Sequence, residues 1–269
     1  MYLADYHVHS AVSFDASVPM TDMAAAAFAA GMQEVAFTDH LGMGDWDCAA
    51  PPPDHDWGPA REALARARAD WNGRLTLRLG VELGEISRAP ALAERFLASA
   101  PDLDFVIASV HGLPAYQWTD FMFLREADEA ECRREIQLDL DQVRQTALWG
   151  NFSVLGHLTL PLRYMNEQRG FHATFDGFEE EMEEIFRILI RQGRGIEVNT
   201  NRGHQPLPGE KWLRMYRELG GEIITLGTDA HNRRYVGCAI RERQQLLRAC
   251  GFTRFCTFEK RQPVWHALD

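Results

Sequence analysis

Residues 5–10 read Asp5-Tyr6-His7-Val8-His9-Ser10, and Leu3, Ala4 and Val8 around them give the short apolar pattern of a strand that ends in two histidines. Side chains two apart on a strand point to the same face, so His7 and His9 can present two imidazoles to one point. Alone, such a pair is weak: a histidine at a strand end is more often a hydrogen-bonded structural residue than a ligand. Its meaning depends on whether other strands end the same way.

They do. Short apolar or β-branched runs near 3–8, 34–38, 76–82, 104–110, 153–157, 195–199 and 223–227 alternate with helical patterns near 20–31, 58–71, 90–100, 126–148, 177–192, 210–219 and 240–250. A last strand is expected at 254–258. Seven such βα units predict an α/β fold around a parallel sheet, with one domain over residues 1–269 because no composition break divides the chain. The strands end in turn at His7 and His9; Asp39 and His40 ("FTDH"); Glu82 ("GVELGE"); His111 ("ASVH"); His157 ("LGH"); Glu197 and Asn199 ("EVNTN"); and Asp229 and His231 ("GTDAH"). Six of the ten histidines fall at strand ends, with Asp15, Glu82 and Asp229 close to them in sequence order. Burying so many polar groups without compensation would cost several kcal/mol, so a shared metal ion is a better account than core filling. Of the other histidines, His55 and His204 are expected in solvated loops, and His172 and His266 carry no assigned role.

Composition narrows the field further. Lys and Arg number 28 against 39 Asp and Glu, a net charge of −11, which disfavours coating nucleic acid because phosphate backbones need a basic surface. No basic segment followed by an apolar run stands at the N-terminus, and the small-apolar run at Ala24–Ala30 is too short to span a bilayer, so a cytoplasmic protein without a membrane partner is expected. Five cysteines, with no CxxC spacing, fit reduced thiols rather than disulfides or a cysteine zinc site. Loops are expected at 45–54, which holds three consecutive prolines, at 112–124, rich in aromatics, and at 202–209. In a barrel these connections lie on the active side.

The motifs resemble the PHP domain, named for polymerases and histidinol phosphatases, and within it the stand-alone histidinol-phosphatase type. The resemblance runs from "DYHVHSAVSFDA" through "EVAFTDH", "GVELGE", "ASVHG", "VLGHL" and "EVNTN" to "GTDAH". It implies a distorted (β/α)7 barrel with up to three divalent ions at the C-terminal rim and a phosphoester substrate above them. Carried over by position, it implies the ligand set His7, His9, Asp15, His40, Glu82, His111, His157, Asp229 and His231, with Glu82 matching a carboxylate that bridges two ions. Thr159 stands where family members often carry an acidic residue.

Mixed imidazole and carboxylate ligands suit zinc, iron or manganese rather than calcium or magnesium, and leave the choice among the three open. Two such ions lower the pKa of a bridging water toward about 7, giving a hydroxide for in-line attack on a phosphate monoester. Arg163 and Arg202 are placed by sequence to reach the phosphate, with Asn199 beside them; Arg233 is a further option. Asp229 or His231 is expected to return a proton to the leaving alkoxide, and Glu82, Asp229 and His231 form the expected catalytic set. Glu197 and Asp39 are candidates for orienting ligands. The leading function is hydrolysis of L-histidinol phosphate to L-histidinol and phosphate. A phosphodiesterase or nucleotidase is the alternative, since Tyr116, Trp118, Phe121 and Phe123 offer stacking surfaces for a base. A non-catalytic metal-binding module is the third reading.

Overall fold

A computed structural model describes residues 1–43, 54–112 and 128–268. The expected proline-rich loop at 45–54 and the aromatic stretch at 112–124, with Cys48, Tyr116, Trp118, Phe121 and Phe123, lie almost wholly outside the described residues.

The strands are β1 (Ala4–Val8), β2 (Glu34–Phe37), β3 (His40–Gly42), β4 (Thr76–Gly84), β5 (Phe105–Ser109), β6 (Val154–Leu155), β7 (Gly195–Asn199), β8 (Ile224–Gly227), β9 (Arg254–Glu259) and β10 (Gln262–Ala267). The helices are α1 (Met20–Ala29), α2 (Gly58–Trp71), α3 (Pro90–Ala98), α4 (Glu129–Trp149), α5 (Glu179–Arg191), α6 (Glu210–Glu218) and α7 (Ile240–Ala249). Parallel pairing runs β1-β2-β4-β5-β6-β7-β8, with β3 also on β4. Every residue of β1, β2, β5, β7 and β8 is buried, as expected for a parallel sheet covered on its outer face by helices.

The two edge strands meet. Val8 and Ala230 form a parallel bridge, the Asp229 N–H donates to the His7 carbonyl at 2.8 Å, and the His9 N–H donates to the Ala230 carbonyl at 3.0 Å. The result is the distorted seven-stranded barrel implied by the resemblance. Its eighth segment, β3, continues β2 after a two-residue break: Phe37 stands opposite Leu79 and His40 opposite Glu82 on β4, in unchanged register. Asp39, within the break, still accepts the Glu82 N–H on its carbonyl at 3.3 Å while its carboxylate is buried against Ser10 and Ser13. A bulge in β1 between Asp5 and Val8 adjusts the strand just where His7 is presented.

Helix ends follow local chemistry. The Asp128 side chain accepts the Glu131 N–H at 2.8 Å, so α4 starts at Glu129 rather than 126, and Gly150 at φ 71° closes it. Beneath the barrel, β9 and β10 form an antiparallel ribbon fastened by Tyr6, whose hydroxyl donates to Glu34 Oε1 at 2.6 Å and accepts the Phe258 N–H at 2.9 Å. Among the described residues no helix is long and apolar enough to cross a membrane.

Candidate metal centre

Glu82, fully buried near the C-terminal end of β4, is the centre of the site. Its Oε2 lies 3.2 Å from His7 Nε2, 3.5 Å from His9 Nε2 and 2.9 Å from His40 Nδ1. Its Oε1 lies 3.2 Å from His111 Nε2 and 3.0 Å from His157 Nε2, and accepts the Ser109 hydroxyl at 2.6 Å. Five imidazoles from four barrel positions thus converge on one carboxylate. Asp229 Oδ1 faces His9 Nε2 at 3.4 Å and His231 Nδ1 at 3.6 Å. Asp15 Oδ2, from the loop after β1, lies 2.8 Å from His231 Nε2 and 3.4 Å from His40 Nε2. All nine residues of the expected ligand set therefore share one cluster. Three overlapping trios, His7-His9-Glu82, His40-Glu82-His111 and His9-His40-His231, bring their ligand atoms within 4.8 Å of one another.

Hydrogen bonding settles which ring nitrogens face inward. His7 Nδ1 contacts Glu197 Oε1 at 2.8 Å, and only a ring N–H can occupy that position beside a carboxylate. His7 Nε2 points at Glu82; burial opposes charge on the ring, but Glu82, Glu197 and Asp229 raise its pKa well above the ordinary value, so Nε2 gives up its proton only to a cation. His7 Nε2, His9 Nε2 and Glu82 Oε2 are buried without a hydrogen-bond partner among the described residues. Lone pairs and carboxylate oxygens aimed at one another repel, so such a cluster must hold either protons or a cation between them. The residues fit a cation, and the imidazole and carboxylate donors fit a transition metal or zinc.

The imidazoles do not titrate alike. Burial and the neighbouring His40 push His9 down to about 3, leaving it neutral as a ligand must be. Burial works against charge on His40, but Glu82 and Asp15 overcome it and raise its pKa to about 9. Burial likewise opposes ionisation of Glu82, and the surrounding imidazoles, His7 first, hold it well below the usual carboxylate range. The cluster draws positive charge to itself.

A cavity of about 320 Å³ opens above these residues, walled by Phe14, Leu160, Tyr164, Arg163 and Arg202. That volume suits a small-molecule substrate. Arg163 is buried and fixed on three sides: Nε donates to Asn201 Oδ1 at 2.7 Å, Nη2 to Asn199 Oδ1 at 2.9 Å and Nη1 to Asp229 Oδ2 at 2.8 Å. Arg202 lies over the Tyr235 ring, 5.1 Å from its centroid. Asn199 is not in the cavity wall; it stands behind Arg163, its Oδ1 taken by that guanidinium and by the Asn201 N–H at 2.9 Å. Arg233 is exposed and paired with Asp22 at 2.7 Å, away from the cavity wall. Asn201, Tyr164, Leu160 and Phe14 were not indicated by sequence; the first two become visible only when the turn after β7 and the helical turn at Arg163–Gln168 fold over the rim.

Backbone strain concentrates here. Asn201, Arg202 and Asp229 have φ of 49°, 54° and 56°, a left-handed conformation that costs non-glycine residues about 1–3 kcal/mol. Gly227 is required for a different reason: a Cβ there would lie 2.1 Å from Glu197 Oε1 and 2.5 Å from His7 Cβ. Among the remaining histidines, His55 packs on Trp57, His266 stacks on Tyr2, and His172 and His204 are exposed. Cys132, Cys238, Cys250 and Cys256 are free thiols.

The sequence profile of the PHP domain matches residues 5–201. The chain belongs to the PHP domain family. Asp229 and His231 lie beyond the matched span, yet barrel closure returns them to the PHP site. A curated relative, the histidinol-phosphatase of Lactococcus lactis, is 29% identical over 262 residues, covering 94% of this chain and 93% of that protein. A crystal structure of histidinol phosphate phosphatase from L. lactis, complexed with zinc, L-histidinol and phosphate, superposes with a TM-score of 0.79 at 25% identity over 97% of this chain and 98% of that one. A Listeria monocytogenes structure with a TM-score of 0.72 at 18% identity, covering 87% of this chain and 97% of that one, shares the fold.

Proposed function

We propose that this protein is a metal-dependent phosphatase that hydrolyses L-histidinol phosphate to L-histidinol and phosphate. The observation that carries the reading is the convergence of five imidazoles on Glu82, with His7 Nε2 and His9 Nε2 buried without a hydrogen-bond partner among the described residues. The substrate follows from the likeness to the L. lactis protein, whose structure holds zinc, L-histidinol and phosphate. His7, His9, Asp15, His40, Glu82, His111, His157, Asp229 and His231 hold two or three divalent ions of zinc, iron or manganese. Bound there, such ions lower the pKa of a water from 15.7 toward about 7 and withdraw charge from phosphoryl oxygens.

The chain's own groups do the rest. Arg163 has one N–H left on each terminal nitrogen after its three bonds, and both are available to phosphate oxygens from a fixed position. Asn199 and Asn201 supply that fixity, so they act through Arg163. Arg202 lines the same cavity. Asp229 is held ionised because the neighbouring His7 and Arg163 charges outweigh its burial. His231, more exposed and beside it, is the group placed to return a proton to the leaving alkoxide. One domain spans residues 1–269, since β8 from the C-terminal third closes the ring begun by β1, and four free thiols accord with the cytoplasm.

Phosphate release by the purified, metal-analysed protein tests this reading. L-Histidinol phosphate is expected to exceed nucleoside monophosphates and a generic aryl phosphate by at least about tenfold in kcat/KM. A preference for a nucleotide would favour the nucleotidase alternative, and bound metal without turnover on any of them would favour a non-catalytic module.

A further inference from the structure

Between His9 and Asp15 stands Ser13, a buried residue whose hydroxyl touches three segments of the centre at once. It lies 3.0 Å from Asp39 Oδ1, accepts the His40 backbone N–H at 2.9 Å and sits 3.2 Å from His9 Nδ1. A hydroxyl has one proton, so the direction of each bond can be worked out. Asp39 Oδ1 already accepts the Ser10 N–H at 2.6 Å, so it is an acceptor and the Ser13 proton must go to it. The Ser10 hydroxyl, 2.9 Å from Asp39 Oδ2, holds the other oxygen. With its proton committed to Asp39, Ser13 can only accept from His9, and His9 must carry its ring proton on Nδ1. Its Nε2 is then the bare nitrogen facing Glu82 and Asp229.

We propose that Ser13, oriented by Asp39, is a positioning residue that fixes the tautomer and ring direction of His9 and ties it to the backbone of His40 and to the loop that carries Asp15. The single oxygen thereby sets the relative placement of three metal-facing side chains contributed by β1, the following loop and β3. The inference rests on the metal-centre part of the proposed function and not on the substrate. Its test therefore reads metal and ring protons, so that a failure over substrate identity leaves it standing.

The experiment uses zinc-loaded full-length protein and its Ser13→Ala and Asp39→Asn variants. Zinc affinity is measured by chelator competition, and the His9 ring N–H is followed by ¹H–¹⁵N spectroscopy. Ser13→Ala is expected to lower zinc affinity by about 10–100-fold, the usual effect of losing a group that orients a ligand, and to expose the His9 Nδ1–H to rapid exchange. Asp39→Asn keeps an oxygen acceptor at Oδ1, so the protected ring N–H is expected to persist and the affinity loss to be smaller. A slowly exchanging His9 ring N–H together with wild-type zinc affinity in Ser13→Ala would overturn the proposal. So would loss of that N–H in Asp39→Asn but not in Ser13→Ala, and a rapidly exchanging His9 ring N–H in the zinc-loaded parent protein would overturn it without either variant.

Discussion

His7 and Gly227 show how closely single residues are matched around the centre. His7 hands its Nδ1 proton to Glu197, and Glu197 reaches it only because β8 carries no side chain at 227. Gly227→Ala is expected to destabilise the protein by about 1–3 kcal/mol or more through overlap with Glu197 and His7, and to lower zinc affinity as His7 turns. Urea unfolding and chelator competition on the same sample check both; unchanged zinc affinity would mean that Glu197 does not orient His7. The positions that cluster around Glu82 were legible in the sequence because strand alternation places residues i and i+2 together and because each strand ended in an ionisable group. The contacts of Ser13, Asn199 and Asn201 were not. They depend on hydrogen bonds between segments 26 to 38 residues apart, Ser13 with Asp39 and Arg163 with Asn201, and no local pattern reports such pairing.

At the level of elements, seven barrel strands and seven helices were readable from period and punctuation, and two short strands were not. β3 hides because it continues β2 without its own apolar run. β10 hides because the turn before it lacks turn residues: Lys260 and Arg261 take φ of 49° and 63°, where hairpins usually place Asn-Gly. Asp104 makes that turn possible, its carboxylate accepting the Lys260 N–H at 3.1 Å and its carbonyl the Arg261 N–H at 2.9 Å. Lys260→Asn is therefore expected to stabilise the ribbon by up to about 1 kcal/mol without altering activity, as a shift in urea midpoint. α4 carries the opposite kind of misfit. Asp139 is 2% exposed, its Oδ2 has no hydrogen-bond partner among the described residues, and burial raises its carboxyl well above the ordinary range. A carboxyl raised in the folded state favours folding below its unfolded pKa and loses that contribution as pH rises through the folded value. Asp139→Asn should thus gain stability over the parent progressively as pH rises above the ordinary carboxylate range. A constant or shrinking gap in urea midpoints would show that Asp139 is not held protonated.

The whole molecule is a barrel whose closure makes the site. The first strand supplies His7 and His9, the last supplies Asp229 and His231, and the bridge between Val8 and Ala230 brings chain positions more than two hundred residues apart into one cavity. Sequence conveyed this arrangement through the recurrence of ligands at strand ends and through resemblance to the PHP domain. Of the cavity wall it conveyed Arg163 and Arg202 but not Phe14, Leu160 or Tyr164; Tyr164 belongs to the irregular turn at Arg163–Gln168, whose path is set by tertiary contacts such as Arg163 on Asn201. This closure creates a divalent-metal centre that hydrolyses L-histidinol phosphate. The most direct test is to strip the protein with a chelator and titrate zinc back while following phosphate release from L-histidinol phosphate and counting bound zinc. Release is expected to vanish on stripping, to return in proportion to zinc bound and to level off at two or three ions per chain. Undiminished turnover after complete metal removal, or no release from the fully loaded protein, would contradict the account.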